Sequence, residues 1–455
     1  MSPVVTAARR TFSSLSVPNY RLYFFGQIVS MSGTWIQSVA QMWLVYQLTG
    51  SGVALGVVTA LQFSPVLVAG MWGGIVADRF DKRKIIIGTQ SAAATLALIL
   101  GLLTLFDVVE LWMIYLLALG LGAISVIEVP TRQSFVIEMV GEDQLSNAIG
   151  LNSTVFTSAR VIGPAIAGVL IAGVGIGWCF IINAISFAAV ILSMLKMNPH
   201  ALHRTAPVER ARGQLREGLR YVWTTPILRT SLLMMAIIGT MAFNFRILLP
   251  VMASKEFGGG AGTYGALSAL MGIGTVLGAL FAASRAKPTR KTLILSSIAY
   301  GVLILIAGIA PSLPLEMIAL VPMGAAGIAF VATANSTLQL NADQTMRGRV
   351  MALYSVVFLG STPIGSPIVG WIGETFGVRA GFFISGFACL LAAAYAIDVV
   401  RKERAERAAE IDALESEDTT DEFEAVTPDD VAPAGTGGAY PVRKLRAAVR
   451  VALRR

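Results

Sequence analysis

The chain has 455 residues, of which 55% are hydrophobic and 14% charged, and its mean hydropathy is +0.70. A soluble domain carries about 25% charged residues, so composition excludes an ordinary globular enzyme and points to a membrane protein. The net charge of +8 calls for no nucleic-acid partner, because basic loops facing anionic lipid account for it.

Residues 1–21 read as a cytoplasmic N-terminus; no short apolar core with a cleavage site follows, so they are not a signal peptide. About 20 apolar residues cross roughly 30 Å of hydrocarbon. The first half, 22–197, holds six such stretches, at 22–46, 53–77, 84–106, 112–133, 146–172 and 177–197. A polar, basic central loop follows at 198–227, broken by Pro199, Pro207 and Pro226; within it Gln214 to Trp223 suits a short amphipathic helix. The second half, 228–399, holds six more, at 228–251, 263–283, 291–311, 314–338, 350–374 and 380–399. In the tail, 400–455, Arg401 to Glu410 extends the last span, and the acidic run Glu415 to Asp430 reads as disordered. Val442, Leu445, Val449 and Leu453 then oppose Arg443, Arg446, Arg450 and Arg454, which suits a helix on anionic lipid or an unstructured basic tail.

The second half repeats the first at an offset of 202. Leu151, Ser153, Val155, Phe156, Ile162, Gly163, Ile166, Gly168 and Gly175 recur as Leu353, Ser355, Val357, Phe358, Ile364, Gly365, Ile368, Gly370 and Gly377. The expected fold is an all-α polytopic membrane protein with 12 transmembrane helices in two pseudo-symmetric six-helix bundles. Two similar halves can rock about a site between them, which suggests a transporter.

Basic residues set the orientation. One side carries Arg79, Lys82, Arg83 and Lys84, then Arg204, Arg210, Arg212, Arg216 and Arg220. It also carries Arg285, Lys287, Arg290 and Lys291, then Arg347 and Arg349; the other side has only Lys255 and Arg379. The positive-inside rule puts the first set and both termini in the cytoplasm.

The most specific motif is Gly74-Ile-Val-Ala-Asp78-Arg79-Phe-Asp81-Lys82-Arg83-Lys84, after the second span. Gly74 lets two helices approach, Asp78 meets a basic partner or a helix N-terminus, and Arg79, Lys82 and Arg83 reach phosphates or carboxylates. In the fifth span Gly163, Pro164 and Gly168 favour close packing and a bend. The first motif resembles the loop 2–3 signature of the major facilitator superfamily, with Asp81 standing where that family has Gly. The second resembles the span 5 motif of its exporters. The segments Pro130 to Gln133, Glu138 to Ser153 and Arg347 to Ala352 are similar to the third drug:proton antiporter family. That branch, the transmembrane secretion effectors, includes the bacterial enterobactin exporter and macrolide and tetracycline efflux proteins. The resemblance implies the major facilitator fold, a cytoplasmic gate at the first motif, a bacterial plasma-membrane location and H⁺ as coupling ion. Other drug:proton antiporters carry an Arg in span 4; here that position is Leu116, so that residue does not support proton coupling.

An ionisable residue within a span is a functional candidate. Arg160 lies about 21 Å from the cytoplasmic face, past mid-membrane. Glu128 is too near the cytoplasm to meet it but is spaced to pair with Arg132. No carboxylate stands clearly within the spans of the second half. Arg246 sits near the outer end of span 7, placed either to bind substrate or to snorkel to headgroups. Ser30, Thr34, Gln37 and Gln41 share one face of span 1, read as a cavity wall with Trp35 and Trp43 nearby; Asn152 and Asn335 join them as polar candidates. Cys179 and Cys389 fall in apolar spans and read as core. No nucleotide loop and no metal set appears, since His200 and His203 have no partner ligands. The expected function is secondary-active export of a small amphipathic molecule, a drug-like compound or siderophore, without cofactor, nucleotide or enzymatic activity. Lysophospholipid flipping and a non-transporting scaffold or sensor are the alternatives.

Overall fold

The structure, a computed structural model, describes residues 12–203, 214–283 and 289–424. Arg204, Arg210, Arg212, Arg285, Lys287 and the segment Pro441 to Arg455 lie outside the described residues; of Asp78 and Arg216 only the backbone is described.

The described secondary structure is helical throughout. In order come α1 (Pro18–Thr49), α2 (Gly52–Arg79), α3 (Lys82–Leu105), α4 (Leu111–Gly173), α5 (Ile176–Lys196), α6 (Gln214–Thr224) and α7 (Pro226–Ala242). Then come α8 (Phe245–Val251), α9 (Ala261–Ala283), α10 (Arg290–Ile309), α11 (Leu313–Asn341), α12 (Arg347–Thr375) and α13 (Val378–Glu424). Local chemistry sets the ends. Gly50 takes a left-handed conformation, φ +62°, and closes α1. Ser51 and Asp81 cap α2 and α3, accepting from the backbone N–H of Ala54 and Lys84, each at 3.2 Å. The departure from the family motif at Asp81 is therefore a helix cap. The 63-residue α4 contains both the fourth and the fifth expected spans, and its one non-helical residue is Gly141, at φ +71°. Between α7 and α8 the helix breaks at Phe243 and Asn244, and the Asn244 amide donates to the Thr240 carbonyl at 2.7 Å.

Ten of the described helices are long and apolar enough to cross a membrane. The difference from twelve has two sources. The polar residues of α1, among them Gln27, Ser30, Gln37 and Gln41, lower its hydropathy, and α4 is one helix by hydrogen bonding but long enough for two crossings. Val68, Val169, Ile318 and Leu391 are each at least two-thirds exposed, as suits side chains that face lipid rather than water.

Contacts divide the chain at Ala394. In the first unit, α1 packs on α4 and α5, α2 on α4, and α3 on α5; in the second half α9 and α10 pack on α11, and α7 on α12. Tyr20, Tyr23, Phe135, Met139 and Met194 form one buried core in the first half. Two seams join the halves, α2 against α12 and α4 against α9, and small residues set both. A Cβ on Gly370 would lie 2.2 Å from the Gly52 carbonyl oxygen, and one on Gly56 2.5 Å from that of Ser366. A Cβ on Gly265 would lie 2.7 Å from the Pro164 carbonyl oxygen. Where α2 begins, the Glu374 carboxylate of α12 accepts from the Ser51 hydroxyl and, at 3.0 Å, from the Val53 N–H. The second unit is described from Ala394 to Glu424. It is helical, with Lys402 and Asp398 paired at 2.8 Å. The helix thus runs through Glu415 to Glu424, part of the run expected to be disordered; the first proline there is Pro428, so no breaker intervenes.

Candidate functional site

Between the halves lies a cavity of about 490 Å³, a volume suited to a drug-sized molecule. Trp35, Ser38, Phe156, Arg160 and Pro164 line it from the first half; Phe243, Arg246, Tyr264, Tyr300 and Phe358 line it from the second. An adjoining cavity of about 650 Å³ is lined by Gln27, Arg132, Gln133 and Asn152 and shares Met31, Arg132 and Phe156 with the first. The two linings contain three arginines and no carboxylate.

Trp35 organises the centre. Gly163 of α4 leaves room for its base, since a Cβ there would come within 2.4 Å of the Trp35 Cβ. Its ring packs edge-on against Phe156, with centroids 5.9 Å apart. The Arg160 guanidinium lies 5.9 Å from the Trp35 ring and that of Arg246 5.5 Å, distances at which the ring quadrupole attracts a cation by ~0.5–2 kcal/mol. Arg246 also donates to the Ser38 hydroxyl at 2.5 Å. It therefore turns into the cavity and does not snorkel: the break at Asn244 starts a new helix, α8, that aims its first turn at α1.

The expected wall on α1 is displaced by one face. Of Ser30, Thr34, Gln37 and Gln41, Thr34 alone lines the cavity. Gln37 is buried and accepts from the Asn183 amide of α5 at 2.6 Å, so that polar face holds two helices of one half together. Met31, Trp35, Ser38 and Val39 are the other α1 residues that meet the cavity. Asn152 lines the adjoining cavity and accepts from the Tyr20 hydroxyl at 3.3 Å. Asn335 accepts from the Gln339 amide at 2.6 Å and lies in neither lining. Glu128 and Arg132 form an i,i+4 pair at 3.6 Å, and the Gln90 amide donates to Glu128 at 2.8 Å.

In the motif after α2, Lys82 meets a carboxylate and Arg83 meets carbonyls. Lys82 is buried and pairs with Glu138 of α4 at 2.5 Å; Arg83 donates to the carbonyls of Met194 and Leu195, at 2.6 and 3.2 Å. The partners of both side chains belong to the first half. The reason is the last turn of α5, whose free carbonyls attract a cation. Arg79 is exposed at the end of α2. At Gly73, next to Gly74, a Cβ would lie 1.8 Å from the Val126 carbonyl oxygen.

One carboxylate of the second half, at the edge of its span, is not singled out by the sequence. Glu316, in the first turn of α11, is fully buried, and among the described residues neither of its carboxyl oxygens has a hydrogen-bond partner. The neighbouring Arg379 is engaged by Glu256 at 2.8 Å and by the carbonyls of Gly308 and Ala310. In sequence Glu316 stands at the edge of its span, where a glutamate is ordinary. Cys179 and Cys389 are buried and free, and no three potential metal ligands gather among the described residues.

Comparison with known proteins gives a consistent result. The chain is 25% identical to the staphyloferrin A transporter of Staphylococcus aureus over 382 residues, covering 81% of this chain and 93% of that one. It is 29% identical to the multidrug efflux pump Tap of Mycolicibacterium fortuitum, covering 84% and 95%. It is 26% identical to the enterobactin exporter EntS of Escherichia coli, covering 82% and 90%. Among solved structures, an inward-facing, unoccupied bacterial homologue of the human lysosomal transporter Spinster superposes with a TM-score of 0.67 at 15% identity, covering 84% of this chain and 96% of that one. The nucleoside transporter NupG also gives 0.67, at 12% identity. Both show the major facilitator fold. A family model described as "Transmembrane secretion effector" matches residues 9–425. The chain is accordingly a multi-pass membrane protein of the transmembrane secretion effector family, within the major facilitator transporters.

Proposed function

We propose that this protein exports small amphipathic molecules, drug-like compounds or siderophores, across the bacterial plasma membrane by alternating access, driven by H⁺. The observation that carries this reading is the cavity between the halves, walled by aromatic rings and arginines from both. The relatives named for staphyloferrin A, enterobactin and multidrug efflux support the substrate class. With both termini cytoplasmic, as the basic loops require, the α2–α12 seam at Gly52 and Gly370 is on the outside. The cavity then opens inward, and the bundles 22–197 and 228–399 are the rocking units. When the cytoplasmic side closes, Asp78 at the end of α2 meets the N-terminus of α12. The outer seam already shows the mirror arrangement, in which Glu374 at the end of α12 receives donors from the start of α2.

Glu316 is the residue proposed to exchange the coupling proton, because it is a fully buried carboxyl group whose oxygens have no hydrogen-bond partner among the described residues. The test is transport by purified protein in vesicles with an imposed proton gradient, against a panel of siderophores, antibiotics and lysolipids. Asp78→Asn is expected to abolish transport at normal expression. Glu316→Gln is expected to lose gradient-driven movement while retaining exchange of substrate for substrate. Full gradient-driven transport by Glu316→Gln removes it from coupling, and movement of lysolipids alone replaces export by lipid flipping.

A further inference from the structure

We infer that Arg160 and Arg246, with the Trp35 ring beside both, form one binding site for an anionic group carried on a flat apolar body, so that the cargo is an aromatic or similarly planar anion. The inference rests on the cavity being the transport site and specifies what it takes. Arg160 belongs to α4 in the first half and Arg246 to α8 in the second. Each guanidinium lies within 6 Å of the same indole, which places the two charges no more than ~11 Å apart.

Among the described residues neither arginine has an ion pair, and neither cavity lining supplies an acid. A structural pair of buried arginines is normally met by carboxylates. Here a π face and one serine hydroxyl are the groups offered, and most of the ten N–H donors remain for something else. A ring face attracts a cation without occupying those donors, so Trp35 holds both guanidiniums in place and leaves them able to bind. Around them the surface is apolar and flat: Phe243 stacks on Tyr300 with centroids 5.4 Å apart, and Phe156 and Phe358 line the same space. That surface suits a planar body, and the two charges select its sign. A cationic amphiphile would fit the rings but meet uncompensated like charges. Because one arginine comes from each half, a bound anion also ties the halves together across the cavity.

The experiment uses two dyes on one xanthene body: fluorescein, a dianion near neutral pH, and the methyl ester of tetramethylrhodamine, a cation. Fluorescence anisotropy gives the affinity of each for the full-length protein in detergent. Wild type is expected to bind fluorescein at least ~10-fold more tightly than the ester. Arg160→Gln and Arg246→Gln should each weaken fluorescein by ~10-fold or more and leave the ester unchanged or tighter; the corresponding Lys variants, which keep charge but lose the planar fork, should fall between. Equal affinities in wild type, no binding of fluorescein, or a fluorescein preference that survives both Gln variants would each overturn the assignment. Should the Gln variants fail to fold, the wild-type comparison of the two dyes decides alone. Vesicle transport separates this inference from the export reading. Protein that binds fluorescein through the arginines but moves no compound loses the export reading alone, whereas protein that exports only the ester loses the anion site alone.

Discussion

The C-terminal part of α4 and the helix α12 hold equivalent places in the two halves, and the offset of 202 allows them to be compared position by position. Phe156 and Phe358 both line the cavity. Gly163 and Gly365 both press on a helix of their own half, at Trp35 of α1 and Thr240 of α7. Gly168 and Gly370 both press on a helix of the other half, at Gly262 and Gly265 of α9 and at Gly52 of α2. The equivalence stops at the cavity wall, where Arg160 faces Thr362 as its counterpart, and at Pro164, whose counterpart Ser366 donates to Asn244 at 3.1 Å. The repeat thus keeps the small residues at which helices come into close contact and diverges at the cavity wall.

The comparison is broken most severely at the inner glycines. A Cβ on Gly365 would stand 1.7 Å from the Thr240 carbonyl oxygen, and backbone cannot step aside. Gly365→Ala should cost at least ~3 kcal/mol and remove most extractable, monodisperse protein. Gly163→Leu, placed 2.4 Å from the Trp35 Cβ, should behave similarly. Wild-type yield from both variants would show that these glycines are not packing equivalents.

The seam glycines come next. On Gly370 a Cβ would overlap Gly52 at 2.2 Å, but on Gly168 the nearest atom is 3.3 Å away. Gly370→Ala should therefore slow transport by ~10-fold and Gly168→Ala by under ~2-fold, the former by hindering closure of the α2–α12 end. Equal rates would mean that the two seams share the motion equally.

Arg160→Thr makes the two cavity walls alike. Transport of an anionic substrate should fall by ~10-fold or more, with a smaller loss for a cationic one. Equal loss for both would instead make Arg160 a brace for the backbone of α4. The smallest effect is expected at Pro164→Ala, which supplies a backbone donor within a helix that is already continuous. Turnover should drop by roughly 2-fold with little change in thermal stability, and wild-type turnover would make Pro164 a wall residue only.

The residues explain what could be read ahead of the structure. The repeat, the small-residue positions and the isolation of Arg160 from any first-half carboxylate follow from spacing and helix rise, because both are properties of a straight helix. Two other features depend on which face of a helix turns inward by a few tens of degrees. Gln37 goes to Asn183 rather than to the cavity, and Arg246 goes to Ser38 rather than to headgroups. Neighbouring faces of α1 are equally polar, so composition gives no vote. The Lys82–Glu138 pair joins residues 56 apart and stands in a loop whose charges already had an explanation. Glu316 was hidden by lying at a span edge, where burial is set by packing around Arg379 and not by hydropathy.

With alternating access, the pair of guanidiniums at Trp35 would also make the carrier an electrical device. Rocking of the halves would re-divide the field across the membrane around the cavity, and each fixed charge there would exchange at most ~2.3 kcal/mol per 100 mV, the value for crossing the whole field. Without a bound anion, the two arginines at Trp35 would be drawn toward the negative interior, so voltage would return the unloaded carrier to its inward-open state. A bound dianion would cancel those charges and leave the outward step insensitive to voltage. Resting potential would then act on the reset and spare the delivery, which makes the charge of the cargo, rather than its size, the quantity that sets how a cell's voltage is spent.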